Sequence, residues 1–107
     1  MSGNLTNTTS SETGFNKTCF ASTIPVPNYL IALTIGNITK KSLGGRANLY
    51  ADPTLLTAVV QEFADLNTWL DTAEAYIGVP YIWGTYNMIV LPAPFPFSGM
   101  ANPMLAY

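Results

Sequence analysis

The chain has 107 residues, 49% of them hydrophobic and only 9% charged, with a formal net charge of −2. The charged share is far below the roughly 25% of an ordinary soluble domain, so the chain has too little charge to cover its own surface. Its four basic residues, Lys17, Lys40, Lys41 and Arg46, argue against a nucleic-acid partner, and the absence of histidine excludes a Ser-His-Asp or Cys-His triad and a histidine-ligated zinc site within these residues.

Met1 to Lys17 is polar and repetitive, with too little apolar surface to offset the entropy of ordering, and reads as a flexible lead-in. A short strand is expected from Cys19 to Ile24, after which Pro25 and Pro27 hold the chain extended. Cys19 has no cysteine partner and no histidine to activate it, so it reads as an inert buried thiol. Tyr29 to Ile35 (YLIALTI) reads as a strand apolar on both faces, placed inside a sheet or between layers. Lys40 to Arg46 predicts a hairpin turn with Gly44 and Gly45 at its tip, and Ala47 to Tyr50 the returning strand.

Asp52 and Pro53 form a helix start, an acceptor followed by proline at the first helical position. Leu56, Val59, Phe63, Leu66, Leu70, Ala73 and Ile77 recur at steps of three and four. They predict one long amphipathic helix, roughly 37 Å at ~1.5 Å per residue. Glu62, Asp65 and Glu74 fall on its solvated face, and Gly78 with Pro80 ends it. Tyr81, Trp83 and Tyr86 form an aromatic connector, read as core packing. A second doubly apolar strand is expected at Asn87 to Leu91 and a last one at Met104 to Tyr107. No apolar run reaches the ~18 residues of a membrane-spanning helix.

Between those last two strands lies Pro94 to Pro103, PFPFSGMANP. Prolines at 92, 94, 96 and 103 lack a donor N–H and keep the segment out of a sheet centre. Gly99 permits close approach of another backbone or a ligand, while Phe95, Phe97 and Met100 favour burial. Such a segment serves either as a plain buried crossover or as a rigid loop offering backbone groups to a ligand.

The blocks IPVPNYLIALTIG and PYIWGTYNMIVLPAPFPFSGMANPMLAY carry a resemblance that runs from about Thr23 to Tyr107. They are similar to the zinc aminopeptidases of the HExxH gluzincin class, most of all the leukotriene-A hydrolase and aminopeptidase branch. That branch carries PxPxYLIALxxG and then PYxWGxYDxLVLPPSFPxGGMENPxLTF in the same order. The resemblance implies an incomplete α+β chain. Residues 1–20 would be the lead-in, 21–51 the last strands of an N-terminal β domain, and 52–107 the long helix and first strands of a thermolysin-like catalytic domain.

Ser98 to Asn102 (SGMAN) stands on the family's GxMEN motif, whose backbone pairs with the substrate's main chain and whose glutamate holds its free α-amine. Ser98, Gly99, Met100, Ala101, Asn102 and Phe97 are therefore the expected substrate-binding residues, with Gly99 and Met100 giving main-chain contacts and Asn102 holding the loop's shape. Gly99, Met100 and Asn102 match the motif. Ser98 replaces a second glycine, Phe97 stands where tyrosine is frequent, and Ala101 replaces the glutamate, so no carboxylate is there to pair with an ammonium.

The family's zinc ligands and general base lie downstream of this stretch. The resemblance thus implies zinc in a longer parent and none held here, no catalytic residue here, a peptide substrate, and a cytoplasmic enzyme. It also implies packing against the rest of a catalytic domain or a partner subunit. The alternative is a catalytically dead pseudopeptidase used as a binding or assembly module.

Overall fold

The computed structural model describes residues 1–10, 13–96 and 98–107. At the N-terminus, β1 (Asn4–Ser10) and β2 (Asn16–Ala21) pair antiparallel, with a register shift between Leu5 and Asn7. This ribbon lies within residues 1–21, most of which was expected as a flexible lead-in. Its threonines suit extended backbone, and Thr6 Oγ1 adds a bond to the Cys19 carbonyl at 3.1 Å. Cys19 is half-buried rather than buried.

The strand expected at Tyr29 to Ile35 is also corrected. Asn28–Leu30 forms a 3-10 turn, and residues 31–35 continue without a ladder partner among the described residues. β-forming side chains make an extended segment, but a strand exists only as a pair. Within this segment only Ala32 is buried, where it accepts from the Ser2 N–H at 2.9 Å and donates its own N–H to Ser2 Oγ at 2.8 Å. Tyr29, Ile31, Leu33 and Ile35 alternate outward, from 54% to 86% exposed.

β3 (Thr39–Ser42) turns through Gly44 and Gly45 into β4 (Ala47–Ala51), the expected hairpin. β4 also pairs in parallel with β5 (Tyr86–Ile89), setting Leu49 beside Met88. This sheet joins residues on both sides of position 51/52. A parallel neighbour requires a crossover, and helical chain supplies it.

That crossover is two helices rather than one, α1 (Leu56–Glu62) and α2 (Leu66–Ile77), joined by a turn in which the Leu66 N–H bonds the Phe63 carbonyl. The break coincides with a change of docking partner. α1 packs Val59 onto β4, whereas the start of α2 is tied to the hairpin turn. Asn67 Oδ1 accepts from the N–H groups of Arg46 and Ala47, and its Nδ2 donates to the Gly44 carbonyl at 3.0 Å. Asp52 caps a turn instead of the helix, accepting the Thr54 N–H at 2.8 Å, so α1 begins three residues later than expected. Gly78 ends α2 in the left-handed conformation, as its position predicts.

Alternation along the sheet builds two apolar layers. Ala47, Leu49, Ala51, Tyr86, Met88 and Val90 face the helices. Tyr50, Ile89 and Leu91 face Ala32, Ile38, Leu105 and Tyr107 on the other side. Asn87 to Leu91 is thus apolar on both sides of the sheet apart from Asn87, which Asn48 Nδ2 reaches at 3.0 Å.

One corner is electrostatic. Arg46 Nη2 donates to Glu74 Oε2 at 2.7 Å and to Asp71 at 2.8 Å, and Glu74 also accepts the Tyr81 N–H. Glu74, expected on a solvated face, therefore clamps hairpin, helix and connector together. The Arg46 hydrogen bond first, and the Tyr81 N–H second, hold its carboxyl down at about 2.

Leu49 is fully buried, so Leu49→Ala should cost about 2–5 kcal/mol in denaturant unfolding. Because Glu74 titrates in the fold below its ordinary 4.5, its contribution is complete above about pH 4.5 and is lost as pH falls toward about 2. Glu74→Gln should flatten that acid limb in a series of thermal melts. An acid limb as steep as the parent's would contradict the clamp.

Candidate functional site

After β5 the chain crosses through residues 90–103 and returns parallel to it. The Ile89 N–H donates to the Ala106 carbonyl at 2.8 Å, and the Ala106 N–H to the Asn87 carbonyl at 2.9 Å. The last apolar stretch, 104–107, is therefore a bridge on the open edge of β5 and not a full strand.

Two turns shape the crossover. The Phe95 N–H closes one on the Pro92 carbonyl at 2.9 Å, and the Leu105 N–H closes another on the Asn102 carbonyl at 3.2 Å. In the second, Pro103 precedes Met104, whose φ of 64° is one that favours glycine. Met104 is buried and its carbonyl accepts Asn87 Nδ2 at 2.8 Å, so packing and a side-chain bond hold the unfavoured conformation.

Met100 and Tyr107 are locked in both directions: the Met100 N–H donates to the Tyr107 carbonyl at 2.5 Å, and the Met100 carbonyl accepts the Tyr107 N–H at 3.0 Å. The approach requires Gly99, because a Cβ there would meet the Tyr107 carbonyl oxygen at 2.7 Å, and its φ of 149° is one that side chains rarely adopt. Met100 spends both its N–H and its C=O on Tyr107, whereas Gly99 and Ala101 bond no other described residue.

Ser98, Gly99, Met100 and Ala101 together line one side of an open cleft of about 600 Å³. Phe63, Tyr86, Met88 and Val90 also line it, as do Phe95 and Tyr107, whose rings lie 5.8 Å apart and edge to face. Among the side chains of its described lining there is no acid and no base other than the phenols of Tyr86 and Tyr107. Burial pushes the Tyr86 phenol up, so it stays a neutral hydroxyl.

The other expected site residues fall elsewhere. Asn102 does not line the cleft; it is 4% exposed, and its Nδ2 has no hydrogen-bond partner among the described residues. Phe97 lies outside the described residues. Met100, expected to offer main-chain contacts to a peptide, bonds Tyr107 through both its N–H and its carbonyl. The residues that sequence reasoning missed are Tyr107, the partner that orients the loop, and Phe63, which faces the cleft from the break between helices. Neither carries a local signal, since both contacts depend on how distant segments meet.

The described residues offer no set of side chains that fits a zinc ion. There is no histidine, and no group of three His, Cys, Asp or Glu side chains comes together among the described residues. No helix among the described residues is long and apolar enough to cross a membrane.

No family model matches the chain. It is 40% identical over 95 residues to aminopeptidase B of Mus musculus, covering 88% of this chain. It is 40% identical over 88 residues to leukotriene A-4 hydrolase of Xenopus laevis, covering 82% of this chain. In each case it spans only 14% of the relative's length. The structure superposes on yeast LTA4 hydrolase with a TM-score of 0.82 at 30% identity, covering 97% of this chain and 16% of that one. A second yeast LTA4 hydrolase structure, in complex with bestatin, matches with a TM-score of 0.77 at 32% identity over 83% of this chain.

Gly99→Ala should force the Tyr107 carbonyl away. Backbone contacts between residues 100 and 107 should vanish from nuclear Overhauser spectra while those between Leu49 and Met88 persist. Retention of the 100–107 contacts would show that the glycine is dispensable.

Proposed function

Because the chain belongs to the family of aminopeptidase B and the leukotriene A-4 hydrolases, of which it spans one segment, we propose that it forms one wall of the peptide cleft of a metallopeptidase. The observation that carries this reading is that Gly99 and Ala101, which line an apolar cleft, bond no other described residue while Met100 between them is held by Tyr107. Free N–H and C=O groups at alternate positions are what an extended peptide needs to add itself as a further strand. On this reading the chain binds and orients the peptide, and zinc with the hydrolytic groups belongs to residues outside it, in a cytoplasmic parent.

The exposed apolar residues support a larger assembly. Tyr29, Ile31, Leu33 and Ile35 on one side, and Trp69, Tyr76, Ile77 and Ile82 on the other, are expected to pack on the rest of the catalytic domain or on a partner subunit. The junction with the N-terminal β domain falls, on this reading, between the exposed segment at 29–36 and the β3–β4 hairpin, since β4 and β5 share one sheet. Ala101 favours a second reading, a pseudopeptidase that still binds peptide but no longer cuts it, because alanine cannot hold an amine.

Grafting Ser98–Asn102 in place of the matching residues of mouse aminopeptidase B separates the two. Losing a charged partner in a desolvated site costs ~2–5 kcal/mol, roughly a 30-fold to several-thousand-fold drop in kcat/KM. The peptide-wall reading expects that drop, with recovery on Ala101→Glu within the graft. Unchanged kinetics would remove the loop from the substrate's path, and a drop confined to kcat, with peptide binding retained, would favour the pseudopeptidase.

A further inference from the structure

We propose that Tyr81 is a positioning residue of the 98–107 loop: it ties the Arg46–Glu74 corner to the turn at Met104, and through that turn to the Met100–Tyr107 bond. Tyr81 does not line the cleft, so it acts through the residues it holds.

The first support is what Met104 requires. This residue is 6% exposed, its φ is 64°, and its carbonyl is taken by Asn87 Nδ2 at 2.8 Å. Its N–H has no main-chain acceptor among the described residues. A buried N–H needs an acceptor, and a left-handed residue other than glycine persists only where its surroundings hold it. The Tyr81 phenol is that acceptor. Burial pushes the phenol's pKa up, and a hydrogen bond from the Met104 main chain pulls it back. Both main-chain groups of Met104 are then held by side chains, one from Tyr81 of the connector and one from Asn87 of β5. Tyr107, three residues further on, makes both bonds to Met100.

The second support is that Tyr81 is itself fixed along its length. Its N–H is taken by Glu74, whose carboxylate also binds Arg46, and its carbonyl accepts the Gly84 N–H at 3.3 Å. Its ring packs edge to face on Tyr86, with centroids 5.6 Å apart, and Tyr86 lines the cleft. A side chain held at both ends passes on the position of its backbone, because a satisfied polar network has few alternative arrangements.

Tyr81→Phe in the 107-residue chain keeps the ring and the N–H and removes only the phenol oxygen. The Met104 amide proton is expected to move upfield as its acceptor is lost. The Met100 and Tyr107 amides are expected to exchange at least ~10-fold faster, while the Leu49 amide changes far less. Glu74→Ala, which frees the Tyr81 N–H, is expected to speed Met100 exchange in the otherwise unaltered chain and to add little once Tyr81→Phe is present. An unmoved Met104 amide, or Met100 exchange unchanged by Tyr81→Phe, would overturn the proposal. So would equal acceleration at Leu49 and Met100, the mark of general destabilisation, or full additivity of the two substitutions.

Discussion

The reciprocal backbone bond between Met100 and Tyr107 is the contact on which the candidate site depends. It spends the hydrogen-bonding capacity of one loop residue and leaves its two neighbours without a bond to any other described residue. It also explains a residue choice that composition cannot: Gly99 stands at the one place where a side chain would collide with the partner's carbonyl oxygen. The Met104 turn and the parallel bridge at Ala106 hold Tyr107 where this bond can form. The loop's orientation is therefore a property of the sheet edge, transmitted through a few backbone bonds.

Beneath that edge, the sheet is positioned by polar groups at a single corner. Asn67 satisfies the hairpin's N–H groups, and Arg46 bridges to Glu74, which in turn accepts from Tyr81 at the start of the connector leading to β5. Satisfied polar networks of this kind fix one arrangement of elements where apolar packing alone tolerates several. The floor of the cleft, Tyr86 and Met88, follows directly from that connector, so the corner and the cleft belong to one continuous stretch of chain.

Much of the fold was legible in local chemistry. The Gly44–Gly45 turn, the packed helical positions from Leu56 to Leu70 and the stop at Gly78 follow from short-range rules and are present, whereas Ile77 at the end of the expected stripe is exposed. What failed was non-local. Tyr29 to Ile35 has the side chains of a strand but no neighbouring ladder, and the helix breaks at Phe63 because Asn67 answers to a distant hairpin. Residues 1–20 looked too polar to order, yet paired threonines form a ribbon that needs little apolar burial. At the site, the motif located the loop but not its facing: nothing near Met100 in sequence announces that Tyr107 consumes its N–H.

The most direct test of the account is residue-resolved amide hydrogen exchange at 98–107 in the free chain and with a saturating extended peptide. The Met100 amide should already exchange slowly in the free chain, while those of Gly99 and Ala101 exchange freely and slow only when the peptide is present. Rapid exchange at Met100 in the free chain, or peptide protection falling on Met100 and sparing its neighbours, would contradict it.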